Sequence, residues 1–168
     1  MADRDGIVYL RSTREATPVI YDSDESFVTG GSRVVRSSES DEVTIVAAGI
    51  TLHEALEAAE RLAADGINAR VIDLYSIKPI DVETLQAAAA TGRIITVEDH
   101  WADGGLGDAV LEVFANADVR PRIQVLAVRE MPASGTPAQL RAAAGIDAEH
   151  IADAARHLIA TPLGAVPG

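Results

Sequence analysis

From Val43 onward the chain alternates short continuous apolar runs with longer segments whose apolar residues recur at helical spacing. Val43–Ala48 is the first run, the pattern of a parallel strand buried on both faces. Gly49 turns the chain. Thr51-x-x-Glu54 then has the form of a capping box, and Leu52, Ala55, Leu56, Ala59, Leu62 and Ala63 make one apolar helical stripe that Asp65-Gly66 stops. Ala69–Leu74 reads as a second strand, followed by a short helix capped by Asp81 with Val82, Leu85 and Ala89 inward. Ile94–Val97 reads as a third strand and Leu106, Val110, Val113 and Ala117 as the helix after it; Ile123–Val128 is a fourth strand. Thr136-Pro137 opens a helix that Gly145 ends, and Asp147 caps a last one carrying Ile151, Ala154, Ala155, Leu158 and Ile159. This alternation predicts an α/β three-layer sandwich around a mostly parallel sheet.

Before Val43 the pattern is weaker. Residues 6–10, GIVYL, read as a short strand followed by a polar turn, RSTRE. Residues 22–42 are rich in Ser, Asp, Glu and Gly and hold no period, as in a linker. Within them Arg33–Arg36 is expected to add an edge strand, antiparallel to the rest, for a sheet of about five strands. Residues 162–168 are expected to form a flexible tail.

Composition narrows the function classes. At 168 residues and 48% apolar content with 4% aromatics, one domain with an Ala/Val/Ile/Leu core is expected. The absence of cysteine excludes disulfides and thiolate metal sites. A net charge of −12 argues against nucleic acid, whose phosphates need a dense basic face. No apolar run approaches ~20 residues, and MADRDG lacks a signal peptide's apolar core, so a cytoplasmic protein without membrane contact is expected.

The densest candidate chemistry is RIITVEDHWADGGLGDAV, Arg93–Val110. A strand there runs into Glu98, Asp99, His100 and Trp101 and returns as a helix through Gly104, Gly105 and Gly107. The carboxyl end of a strand in an open α/β sheet is where ligands and partners sit. A dinucleotide fingerprint is excluded, because the turn after Val43–Ala48 has a single glycine; a Gly-Lys-Ser/Thr P-loop is absent. Free N–H groups at Gly104–Gly107 suit an anion, but Asp99, Asp103 and Asp108 oppose one, and tight packing explains the glycines better. His100 is an acid–base candidate by its acidic neighbours. With no nucleophile beside it, an interface or supporting role with Trp101 is favoured. Glu98, Asp99, His100 and Asp103 lack a metal-ligand spacing. His53 opens the first helix. His150 and His157 lie in the last one, with Asp153 and His157 spaced as an i,i+4 pair. Arg11 and Arg14 straddle a Ser-Thr turn and suit a phosphate or carboxylate, or equally surface pairing with Glu15 or Asp22.

YLRSTR at 9–14, VTIVAAGITLHEALEAAERL at 43–62, VIDLYSIKPID at 71–81, TVEDHWADGGLGDAV at 96–110 and GTPAQLRAAAGID at 135–147 together resemble the C-terminal end of the transketolases. Several of these motifs are shared with deoxyxylulose-phosphate synthases and with beta subunits of thiamin-dependent 2-oxoacid dehydrogenases; LRSTR with GTPAQL is closer to transketolase. The resemblance implies a Rossmann-like transketolase C-terminal domain at 43–161, preceded by the closing strand of a pyrimidine-binding domain at 1–21 and a linker at 22–42. It implies ketol transfer between sugar phosphates in the pentose phosphate pathway by a complete, homodimeric enzyme. That enzyme would use thiamin diphosphate and a divalent cation, Mg or Ca. The family's Gly-Asp-Gly followed by Asn is absent here, so this chain alone is expected to bind no cofactor and to be inactive. The resemblance places a substrate-phosphate arginine at Arg14, followed here by Glu15 where the family often has proline. His100, Trp101, Gly104, Gly105 and Gly107 are expected at an interface or in support of one, among the remaining domains. The alternative is a non-catalytic assembly module, or a separately encoded subunit of one of the two related thiamin diphosphate enzymes.

Overall fold

A computed structural model of the protein describes residues 5–162. The first four residues, and the expected tail from 163 on, lie outside the described residues.

Five strands form one sheet: β1 (Arg33–Arg36), β2 (Val43–Ala47), β3 (Ala69–Asp73), β4 (Arg93–Trp101) and β5 (Arg122–Val128), in the order β1-β3-β2-β4-β5. β1 pairs antiparallel with β3, and every other pairing is parallel. β2 lies at the centre and all five of its residues are buried, because it has strands on both sides and helices on both faces. That placement explains its unbroken apolar run. The helices are α1 (Ile50–Ala64), α2 (Val82–Ala88), α3 (Leu106–Phe114), α4 (Pro137–Ala144) and α5 (Ala148–Ala160). α1 and α5 cover one face, with Leu52, Leu62, Ile151 and Leu158 against Ile45, Val71 and Ile95. α2 and α3 cover the other, with Leu85, Val110 and Phe114 against Val46, Ile72 and Ile94. This is the expected α/β sandwich, with its one antiparallel strand at an edge.

Local chemistry sets the helix ends. Asp81 accepts from Thr84 N–H, Thr136 and Gln139 close a capping box, and Asp147 accepts from His150 N–H. The capping box expected at Thr51 and Glu54 does not form. Gly49 is the N-cap of α1, at φ 62°, and Thr51 is buried inside the first turn. Its hydroxyl lies 3.0 Å from Ala48 O and 2.9 Å from Val97 O, so it serves strand carbonyls rather than helix N–H groups. Glu54 instead accepts from Ala148 N–H at 2.9 Å, joining α1 to the start of α5. Ala63, expected on the apolar stripe, is exposed, and Ala58 takes a buried place on it.

The strand expected at residues 6–10 is absent. Those residues pair with no strand, and Ile7, Tyr9 and Leu10 are exposed. A strand needs a neighbour to take its backbone groups, and none stands beside this one among the described residues. The following segment does dock. Tyr21, Phe27 and Tyr75 stack edge to face, with successive ring centroids 5.0 Å apart. Tyr21 O–H donates to Asp73 Oδ2 at 2.7 Å, Gly30 N–H to Ser76 Oγ at 2.8 Å and Ser32 O–H to Asp81 Oδ2 at 2.9 Å.

Leu62→Ala opens a cavity at a fully buried site, and urea unfolding should record a loss of roughly 2–5 kcal/mol. Ala63→Ser, on the exposed side of the same turn, should stay within about 0.5 kcal/mol of the parent. Equal losses would contradict this placement of the core.

Candidate functional site

β4 is longer than its apolar run, reaching Trp101, and its last residues diverge. Glu98 turns inward and is buried. Its carboxylate accepts from Leu106 N–H at 2.7 Å and Gly107 N–H at 2.9 Å, capping α3 across the turn. A carboxylate is the favoured partner for these orphan donors and for the positive end of the helix dipole. The N–H groups that suited an anion are therefore occupied from within the chain.

That cap dictates the glycines. A Cβ on Gly105 would stand 1.8 Å from Glu98 Oε2, and one on Gly107 would stand 2.7 Å from Val125 Cγ1 and 3.1 Å from Glu98 Oε1. Gly104 adopts φ 73° and donates to Asp108 Oδ2 at 2.7 Å. Burial pushes the Glu98 carboxyl above its ordinary range, against the two N–H bonds that pull it down. Asp73 is raised the same way, by burial first, opposed by the Tyr21 bond.

The other ledge residues face outward. His100 Nδ1 lies 2.7 Å from Trp101 O and 4.0 Å from Glu98 Oε2, and both His100 and Trp101 are exposed. Among the described residues no three His, Asp or Glu gather closely enough to hold a metal ion. Asp99 is engaged by Arg11, whose guanidinium donates to Oδ1 at 2.5 Å, to Oδ2 at 3.1 Å and to Asp99 O at 2.9 Å. Four residues on, Glu15 accepts from Arg141 of α4 at 2.7 and 3.3 Å. Arg141 Nε also sits 2.7 Å from Glu54 Oε1, too poorly aligned for a hydrogen bond, so this contact is an ion pair only.

Arg14 lies between these two anchors. It is exposed and makes no hydrogen bond or ion pair among the described residues, so neither Glu15 nor Asp22 holds it. With Thr13, Asp99, Met131 and Leu140 it lines a broad open groove of about 1200 Å³ beside β5 and α4. Of the remaining histidines, His53 is half-buried and His150 Nδ1 lies 2.5 Å from Asp147 Oδ1. The spacing pair Asp153–His157 does not form. Arg156 takes Asp153 at 2.7 Å and Asp65 at 2.6 Å, a longer forked reach than an imidazole has. The Glu15–Arg141 and Tyr21–Asp73 contacts, and the role of Glu54 beside the first, escaped the sequence reading, since no spacing signals contacts across 126 and 52 residues.

Residues 32–151 match the family model of the transketolase C-terminal domain. Over 162 residues the chain is 48% identical to transketolase-like protein 2 of Mus musculus, covering 94% of this chain and 25% of that protein. Over 162 residues it is 45% identical to transketolase of Homo sapiens, covering 94% and 26%. It is also similar to a solved split-gene transketolase described as an inactive β4 tetramer, at TM-score 0.81 and 36% identity, covering 88% of this chain and 48% of that one. A Pichia stipitis transketolase in complex with sedoheptulose 7-phosphate shares the fold, at TM-score 0.60 and 19% identity, covering 78% of this chain and 18% of that one. The chain spans about a quarter of the length of the curated relatives it matches.

Glu98→Ala strips two N–H groups of their partner and should cost about 2 kcal/mol in urea unfolding. Gly105→Ala should cost at least as much. The raised Glu98 carboxyl holds its proton to higher pH in the folded than in the unfolded state. Its contribution to stability is therefore fullest below the ordinary value of 4.5 and is lost as pH rises through the folded value. The stability of the parent relative to Glu98→Gln should fall over that rise. A constant difference would contradict the buried cap.

Proposed function

The chain belongs to the transketolase C-terminal domain family, and we propose that it serves as the C-terminal portion of a transketolase. The complete enzyme moves a two-carbon ketol unit between sugar phosphates in the pentose phosphate pathway, as a cytoplasmic homodimer. Residues 1–21 end a pyrimidine-binding domain, residues 22–42 link it onward, and residues 43–161 form the C-terminal domain. The exposed GIVYL segment, which pairs with no strand among the described residues, supports this division, because it has the composition of a strand whose sheet belongs to other domains. The exposed His100, Trp101 and Gly104 serve domain or subunit packing, whereas Gly105 and Gly107, expected there too, are buried under the Glu98 cap.

The observation that carries the reading is Arg14: an exposed guanidinium without a partner among the described residues, on a turn anchored from both sides. A guanidinium fits two phosphate oxygens in parallel, so Arg14 pairs with the phosphate of the sugar. The phosphate stays remote from the reacting carbons, so this contact is equal in ground and transition state and appears in KM. Thiamin diphosphate and its divalent cation do not fit this chain. Their Gly-Asp-Gly and Asn pattern is absent, and the helix start that suited a phosphate is filled by Glu98. The remaining domains hold the cofactor. A second reading, a separately encoded subunit, draws support from the split-gene transketolase that this chain resembles over 88% of its length.

With thiamin diphosphate and Mg, the purified chain alone should give no ketol transfer above background; transfer would overturn the division of labour. In the complete enzyme Arg14→Ala should raise KM for phosphorylated substrates roughly tenfold to a hundredfold, with kcat and unphosphorylated substrates little changed. An unchanged KM removes Arg14 from the site.

A further inference from the structure

We propose that Arg141 is a positioning residue: by holding Glu15 it sets the direction of Arg14 and keeps the neighbouring carboxylate away from the incoming phosphate. The inference rests on the reading of Arg14 as a phosphate ligand.

Residues 11–15 belong to no helix or strand. Within the turn one bond forms, Glu15 N–H to Thr13 Oγ1 at 3.3 Å, so its direction depends on its anchors. One is the Arg11 fork on Asp99, at the carboxyl end of β4. The other is Glu15 on Arg141. Arg141 is itself well seated: its side chain is 14% exposed, and its other edge meets Glu54, which also binds Ala148 N–H at the start of α5. The second anchor thus joins α1, α4 and α5, a rigid base rather than one mobile side chain.

The charge arithmetic gives Arg141 a second effect. Glu15 directly follows Arg14, so a released Glu15 carboxylate is a local competitor for the Arg14 guanidinium and a like charge beside a phosphate dianion. Arg141 holds that carboxylate at 2.7 and 3.3 Å and keeps it below the ordinary carboxyl range. Without Arg141, Glu15 and Glu54 would also face each other unneutralised.

The test compares Arg14→Ala, Arg141→Leu and Arg141→Lys in the complete enzyme. Arg141→Leu should raise KM for phosphorylated substrates about tenfold, leaving kcat and KM for unphosphorylated substrates unchanged, and Arg141→Lys should recover part of the loss. In the chain itself, hydrogen exchange at the Glu15 amide, which bonds to Thr13 Oγ1, should speed up in Arg141→Leu. It should do so also in Glu15→Gln, which leaves the Arg141–Glu54 pair and the α5 contact in place should Arg141→Leu fail to fold. If Arg14→Ala raises KM and Arg141→Leu does not, the positioning role is wrong while the phosphate reading stands. If Arg14→Ala has no effect, both fall, and the exchange data report only an anchored turn. Unchanged exchange in both anchor variants overturns the proposal outright.

Discussion

The burial of the Glu98 carboxylate under the first turn of α3 is the interaction on which the carboxyl end of the sheet depends. A strand acid is turned inward and neutralised by backbone N–H groups rather than by a cation. That demands Gly105 and Gly107, since any side chain there would occupy the space of the carboxylate or of Val125. Alternation along the strand then turns the next residue, Asp99, outward, where it receives Arg11. One buried charge thus closes the most inviting anion site on the domain and prepares the anchor of the segment that precedes it.

The ledge acids Glu98 and Asp99 are consumed in holding α3 and Arg11. The groove beside β5 and α4 carries the one guanidinium of the Arg11–Arg14 pair that has no partner among the described residues. The chain belongs to the transketolase C-terminal domain family and spans about a quarter of the length of its relatives. What the fold itself does is hold the segment at residues 11–15 between the carboxyl end of β4 and α4.

Those parts of the fold governed by local or one-dimensional rules were legible in the sequence. Buried parallel strands are continuous apolar runs, so β2, β3 and β5 were placed to within a residue or so. Asp81, Thr136 and Asp147 cap their helices through residues only three positions away. Thr51 misled because the same hydroxyl that can cap a helix was drawn to a carbonyl of β4, a partner 46 residues distant. GIVYL misled for the opposite reason: its composition is that of a strand, but a strand is a property of two segments. At the site, the sequence marked Arg14 and the ledge while leaving their orientation open. Glu98 looked like one of several ledge acids, and its burial became visible only with α3 above it.

The most direct test is the position of the phosphate in a structure of the complete enzyme with a sugar phosphate bound. The account predicts phosphate oxygens at hydrogen-bonding distance, about 2.7–3.2 Å, from the Arg14 guanidinium, with Glu98 still on the Leu106 and Gly107 N–H groups. A phosphate at the start of α3 with Glu98 displaced, or one bound away from Arg14, would contradict it.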